Sequence, residues 1–260
     1  MKPEPARRHF LRLAAGSLAA GVLAGCDRLS QDDSVNGFLR RAQYLSRWAQ
    51  NVVAGPQAMA QEFTEDDITS DFRSNGTSLP DSRLYQQLAT GGFRDWTLQV
   101  GGMVGRPLQL SLAQLKALPA RTQITRHDFV EGWSVIGKWT GVQLSRVLAL
   151  AHPLPLARFV VFHCADPMDG SDVTAPQSTY YESLDLHEAY HPQTILAYEL
   201  NDDALPVANG APLRLRVERQ LGYKHAKYLM RIELVERLDH IRGGKGGYWE
   251  DLGYEWYAGI

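Results

Sequence analysis

Asn209-Gly-Ala-Pro-Leu-Arg-Leu-Arg216, followed closely by Gly222-Tyr-Lys-His-Ala-Lys-Tyr228, runs as a turn, a short apolar strand and a basic stretch. Asn209 and Gly210 suit a turn that exposes backbone and an amide side chain. Arg214 then falls on an apolar strand, Leu213 to Val217, where an unpaired guanidinium is costly. Lys224, His225 and Lys227 add point charges to that planar fork, the equipment for holding phosphate. An internal salt-bridge network with Glu199 or Glu233 is the alternative use of the same charges.

Outward from this stretch, the chain has 260 residues, 44% hydrophobic and 22% charged, with net charge −2, which is ordinary globular composition and excludes a disordered or collagen-like chain. Two cysteines, Cys26 and Cys164, exclude a disulfide scaffold, and the charge balance gives no sequence-wide basic character for nucleic acid. Trp96, Leu98 and Val100 alternate before Gly101-Gly102, a strand and a turn. Ser111-Leu-Ala-Gln114 is a capping box for a short helix ending at Pro119. A second helix is expected over about 140–151, with Leu144, Val147, Leu148 and Ala151 on one face. Phe159 to Phe162, Thr194 to Leu200 and Tyr228 to Val235 read as strands, the last covered on both faces. Asp185-Leu-His-Glu188 caps another short helix, ended by Pro192. Short helices among many strands give an α+β class.

The first 25 residues are an address. Lys2, Arg7, Arg8 and Arg12 against Glu4 precede an apolar segment, Leu13 to Gly25, too short to span a membrane comfortably. Arg7-Arg8-His-Phe-Leu-Arg12 resembles a twin-arginine motif, and Leu23-Ala-Gly-Cys26 resembles a lipobox whose Cys26 becomes lipidated. These imply a periplasmic protein exported folded and anchored only through a lipid; a retained anchor and a chance Arg pair are the alternatives. Residues 26–62 read as a linker and an amphipathic helix (35–54), residues 63–240 as the main domain and 241–260 as an aromatic tail. The tail reads as a cover for the core, with a substrate lid or a partner-docking element as alternatives.

Several motifs are missing. There is no G-x-S-x-G, P-loop, H-E-x-x-H or C-x-x-C-H string, and Gly243-Gly-Lys-Gly-Gly247 reads as a flexible loop. His187 and His191, and the group His163-Cys164-Ala-Asp166, are conceivable metal ligands without a second cluster.

Two further strings complete a pattern: Arg126-His-Asp-Phe-Val-Glu-Gly-Trp133, and Phe72-Arg-Ser-Asn-Gly-Thr77. With N-G-A-P-L-R and G-Y-K-x-x-K, they closely resemble the molybdopterin-binding domain of the sulfite oxidase family, over roughly two-thirds of the chain. The resemblance implies a mixed, β-rich α+β fold with short helices. Its cofactor is molybdopterin, which supports oxygen-atom or two-electron transfer at a Mo-oxo centre. It implies cofactor contacts from Asn209, Arg214, His225 and Lys227, from Cys164, and from Arg73 and Ser74. It also implies a small-molecule substrate, with sulfite, sulfoxides and N-oxides all compatible, and electron transfer to a separate haem or other carrier.

One position departs from the family. A cysteine whose thiolate ligates molybdenum is implied where this chain has Phe129, and a phenyl ring has no lone pair to offer. Four arrangements stay open. Molybdenum is held by the pterin dithiolene alone, or Cys164 substitutes as ligand, or pterin binds without productive metal, or the site is empty. The first two belong to an enzyme and the last two to a non-enzymatic pterin-binding or interaction protein.

Overall fold

The structure is a computed structural model that describes residues 55, 58–168 and 179–260. The leader, Cys26 and the helix expected over 35–54 lie outside the described residues. Among the described residues, no helix is long and apolar enough to cross a membrane.

Two sheets build the domain. The first has the order β2-β1-β10-β5-β6, from β1 (Thr97–Gly102), β2 (Leu108–Ser111), β5 (Phe159–Pro167), β6 (Thr179–Asp185) and β10 (Leu229–Val235). The β1–β10 pair is parallel and its other pairs are antiparallel. The second has the order β3-β4-β7-β8, from β3 (Ala120–Asp128), β4 (Ser134–Gln143), β7 (Ile195–Leu200) and β8 (Asp203–Ala204). β9 (Arg214–Arg216) pairs with the start of β7, Ile195 facing Arg216. One apolar cluster joins the sheets, with Leu98, Phe162, Ile232 and Leu234 from the first and Leu196 and Leu215 from the second. Each such side chain contributes about 1.5–3 kcal/mol by leaving water. This β-rich arrangement with short helices is the α+β fold expected from the sequence.

The helices follow their caps. α1 (Arg83–Thr90) starts at Ser82, whose hydroxyl accepts from the Tyr85 amide. α2 (Leu112–Lys116) carries the full capping box of Ser111 and Gln114. α4 (Leu186–Ala189) is capped by Asp185, and α5 (Tyr248–Asp251) lies in the C-terminal segment. α3 (Leu144–Ala151) buries Leu144, Val147, Leu148 and Ala151, the i, i+3, i+4, i+7 face.

Three local expectations are corrected. Residues 140–143 are the end of β4, not the first turn of α3; Val142 pairs with Ala120 and with Leu196. Gly141 makes this possible, because a Cβ there would lie 2.2 Å from the Leu196 carbonyl oxygen. Gly101-Gly102 is not a turn but the end of β1, paired with Glu233 and Leu234. The second face of β10 is only partly covered at its centre: Arg231 and Glu233 are half-buried there, with His163 Nε2 2.9 Å from Glu233. The glycine-rich 243–247 loop is also tied down, since Asp251 accepts from the amides of Gly243 and Lys245.

Gly102 has φ +78°, and a Cβ on it would lie 2.3 Å from the Leu234 carbonyl oxygen. Gly102→Ala is therefore expected to destabilise the domain by roughly 3 kcal/mol through clash and left-handed strain. Urea unfolding of the variant beside wild type measures this.

Candidate functional site

The site begins with β9. Its Arg-Leu-Arg alternation sends Leu215 to the core, while Arg214 and Arg216 stand over the ring of Trp139 on β4, at 5.0 and 4.4 Å from its centroid. Both guanidiniums are buried. Arg216 is neutralised by a fork of bonds to Glu218 at 2.9 and 2.5 Å. It also donates to His127 Nδ1 at 2.5 Å, which leaves the proton of that neutral ring on Nε2.

Arg214 has no carboxylate. Its Nη1 donates to the Asn209 carbonyl at 2.9 Å and its Nη2 to the His225 carbonyl at 3.3 Å. Its Nε, and Nδ2 of Asn209, are buried without a hydrogen-bond partner among the described residues. Burial, then the neighbouring Arg216, push the Arg214 guanidinium down to about 9. A guanidinium does not give up its proton in proteins, so the charge stays and calls for an anion. The glutamates considered from sequence are engaged elsewhere: Glu199 with Lys116, and Glu233 with His163 and Arg231.

A cleft of about 980 Å³, counting the part open to solvent, is lined by Arg214 and Asn209. Arg73, Ser74, His225, Lys227 and Phe129 also line it, so the structure brings together all but one of the cofactor contacts implied by resemblance. The exception is Cys164. Its side chain belongs to the core cluster and is absent from the cleft wall. Burial pushes its thiol well above the usual range, so it does not readily become a thiolate.

Their roles differ. The Lys227 ammonium donates to the carbonyls of Asn75 at 2.8 Å and Ala208 at 3.0 Å, and to that of Thr77. Burial and Arg214 push it down to about 7, while Asp166 opposes this. The Gly210 turn has φ +110°, and a Cβ there would lie 3.0 Å from Lys227 Cβ, so the N-G dipeptide lets the two segments meet. His225 has both ring nitrogens occupied, Nδ1 by the Val217 amide at 3.4 Å and Nε2 by the Gln220 carbonyl at 2.9 Å. It shapes the segment rather than offering its ring to a ligand. The Ser74 hydroxyl donates to the Ala208 carbonyl at 2.6 Å. Arg73 lies 5.1 Å from the Trp133 ring.

Lys224 corrects a sequence expectation. It is fully buried and bound to Glu182 and Glu250, so its charge is not available to phosphate. Burial first, and then Glu250, push the Glu182 carboxyl well up, so this triad keeps a proton. His191 is likewise held by protein, its Nδ1 accepting from the Gln193 amide and its Nε2 lying 3.2 Å from the Ala58 carbonyl.

Phe129 occupies the tight connection between β3 and β4. Its amide donates to the Trp133 carbonyl at 3.0 Å, and its ring stacks on Trp133 with centroids 3.8 Å apart. It also meets His127 edge-on at 4.4 Å. Residues not singled out before join the wall: Tyr180, Tyr223 and, from the aromatic tail, Trp249 and Tyr254. Only the tail's aromatic content signalled the last two.

The donor set suits a phosphate monoester: one uncompensated guanidinium and an unpartnered amide N–H₂ on one cleft wall, beside the charge of an ammonium whose donors are engaged by backbone carbonyls. It offers a metal no thiolate, and no group of three or more His, Cys, Asp or Glu side chains is placed to hold a metal among the described residues.

The family described as "Oxidoreductase molybdopterin binding domain" matches residues 87–240. The "Putative protein-methionine-sulfoxide reductase subunit YedZ1" of Azospira oryzae is 35% identical over 255 residues, covering 98% of this chain and 88% of that protein. The "Protein-methionine-sulfoxide reductase catalytic subunit MsrP" of Xanthomonas axonopodis pv. citri is 35% identical over 253 residues, covering 95% of this chain and 73% of that protein. The protein of the same name from Xanthomonas campestris pv. campestris is 34% identical with the same coverage. The chain thus belongs to the molybdopterin-binding oxidoreductase family, within the sulfite oxidase group.

Proposed function

We propose that this protein is the cofactor-bearing subunit of an exported sulfoxide reductase, acting on methionine sulfoxide side chains and fed by a separate haem or other electron carrier. The observation that carries the reading is the buried, uncompensated Arg214 guanidinium on the cleft wall, beside Lys227 and the unpartnered Asn209 amide. Arg214 and Asn209 hold the cofactor's phosphate in this reading, by charge-assisted bonds in a water-poor wall, while Lys227, its three N–H donors engaged by backbone carbonyls, adds a nearby positive charge. When bound, the cofactor supplies two-electron, oxygen-atom-transfer chemistry. The names of the relatives support the sulfoxide, and their description as subunits supports a distinct electron donor. The basic leader before Cys26 supports twin-arginine export to the periplasm and a lipid anchor.

Asp166 gives the site a carboxyl that keeps its proton up to near neutrality. It is buried in the cleft wall, and its Oδ1 has no partner among the described residues. Burial pushes the carboxyl up to about 7, against its own amide, Lys227 and Thr77, which lower it.

One observation favours a second reading, a pterin-binding protein without redox turnover. Phe129 stands where the family places its thiolate, and Cys164 does not reach the cleft wall. Molybdenum content decides between the two. After expression with the native leader in a cofactor-producing host, about one molybdenum per chain is expected, the pterin dithiolene holding the metal. A folded protein with pterin and no molybdenum would establish the second reading.

Phe129→Cys is expected to slow the loss of molybdenum to a chelator, since a thiolate adds a ligand; equal rates of loss from two folded proteins would contradict a ligand role for this position. Arg214→Ala removes a buried cation and is expected to strip pterin from the purified protein. Unchanged pterin after gel filtration would remove the phosphate assignment.

The Asp166 carboxyl has a folded pKa above its unfolded one, so stability is full below about pH 4 and is lost as pH rises toward 7. Asp166→Asn is expected to abolish that loss. The variant should gain up to roughly 4 kcal/mol over wild type at pH 8 and almost nothing at pH 4. Melting temperatures across that range, with wild type in parallel, measure it.

A further inference from the structure

We propose that Trp249 and Tyr254, from the C-terminal aromatic segment, are the specificity wall of the cleft, seating the side chain that carries the sulfoxide; this rests on the sulfoxide-reductase reading above. Both residues line the cleft, and both lie beyond the stretch matched by the family. They form a continuous panel with Tyr223. The rings of Trp249 and Tyr254 have centroids 5.2 Å apart at 32°, and those of Tyr254 and Tyr223 are 5.4 Å apart at 90°.

The panel differs chemically from the rest of the wall. Arg73, Arg214 and Lys227 present cations suited to oxygen anions, whereas the panel presents apolar faces and ring edges. The methylene stem and S-methyl group of a methionine sulfoxide side chain are apolar and pack on aromatic faces, and reduction leaves a soft thioether that does so too. A small inorganic oxyanion gains nothing from such a surface. Tyr254 is 43% exposed and the neighbouring Leu252 62%, so the panel continues to the molecular surface, where a residue carried on a peptide reaches it.

The panel is held by more than its own packing. Between Trp249 and Tyr254 in sequence, Glu250 is 1% exposed and accepts from the Lys224 ammonium at 2.6 Å. The Tyr223 hydroxyl donates to the Glu255 carbonyl at 2.6 Å, and the Leu221 amide donates to the Ala258 carbonyl at 2.9 Å. These bonds fix the tail to the segment that carries Lys227, so the rings are positioned relative to the cationic wall. A segment serving only to cover the core does not require an exposed tyrosine within a cleft.

The experiment compares wild type with Trp249→Ala, Trp249→Phe and Tyr254→Ala, each as metal-loaded protein with melting temperature recorded. Two measurements are made. The first is kcat/KM for a peptide containing methionine sulfoxide and for dimethyl sulfoxide, with a reduced dye as electron donor. The second is equilibrium binding of the same peptide, labelled, without turnover. The peptide-to-dimethyl-sulfoxide ratio is expected to fall roughly five- to tenfold in Trp249→Ala and Tyr254→Ala, to recover in Trp249→Phe, and peptide affinity is expected to fall in parallel. An unchanged ratio with unchanged affinity, or no peptide binding by wild type, would overturn the proposal. If Trp249→Ala does not fold, the half-exposed Tyr254 decides alone. Peptide binding that depends on these rings in a protein that reduces neither sulfoxide would uphold the wall and refute the reductase reading.

Discussion

Two guanidiniums stacked over one buried tryptophan constrain the rest of this structure. Arg214 and Arg216 share a face of β9 above Trp139, in surroundings that penalise charge. The two are resolved in opposite ways. Arg216 receives a carboxylate from Glu218, a histidine nitrogen and a threonine hydroxyl, so its charge is matched inside the protein. Arg214 receives only carbonyl oxygens. Among the described residues, the Arg214 charge is therefore left without a carboxylate, and the surrounding backbone (the Asn209 turn, the segment 222–227, residues 72–77) lies around that deficit. An anion bound there would be the missing partner, and its binding would stabilise the fold by the same interaction that retained it.

What the sequence disclosed and what it concealed follow from this polarity. α2, α4 and the strand at 159–162 were legible because capping residues and apolar runs are local signals. The chemistry of the N-G-A-P-L-R stretch was legible because an arginine on an apolar strand is costly unless it binds something. β3 was not legible. Its inward-facing residues are Gln123, Thr125 and His127, all buried. They are inside because they bond to Glu218 and Arg216, partners about 90 residues away. A pattern of hydrophobicity does not register a strand whose buried face is polar. The same limit hid the fate of Lys224: nothing near it in sequence announces Glu182 or Glu250, yet those two carboxylates remove it from the phosphate set.

Phe129 stands at the opposite extreme from Arg214. The arginine is held by polar contacts and lacks a partner; the phenylalanine is packed on Trp133 and His127 and lacks any polar capacity. A single cleft thus combines an anion site the protein leaves incomplete with an aromatic surface that is complete without a ligand. The anion site and the aromatic surface are therefore built by separate parts of the chain, and a change in one leaves the other's contacts in place.

The buried Lys224 triad has a consequence for how the protein is made. Lys224 belongs to the segment that carries His225 and Lys227, Glu182 to β6, and Glu250 to α5. The cleft wall therefore cannot close around its ionic centre until residue 250 has left the ribosome. Until then the basic segment lacks one of its two carboxylates. Both sheets are synthesised before the residue that completes the triad, so the order in which the chain emerges places this ionic centre late in assembly.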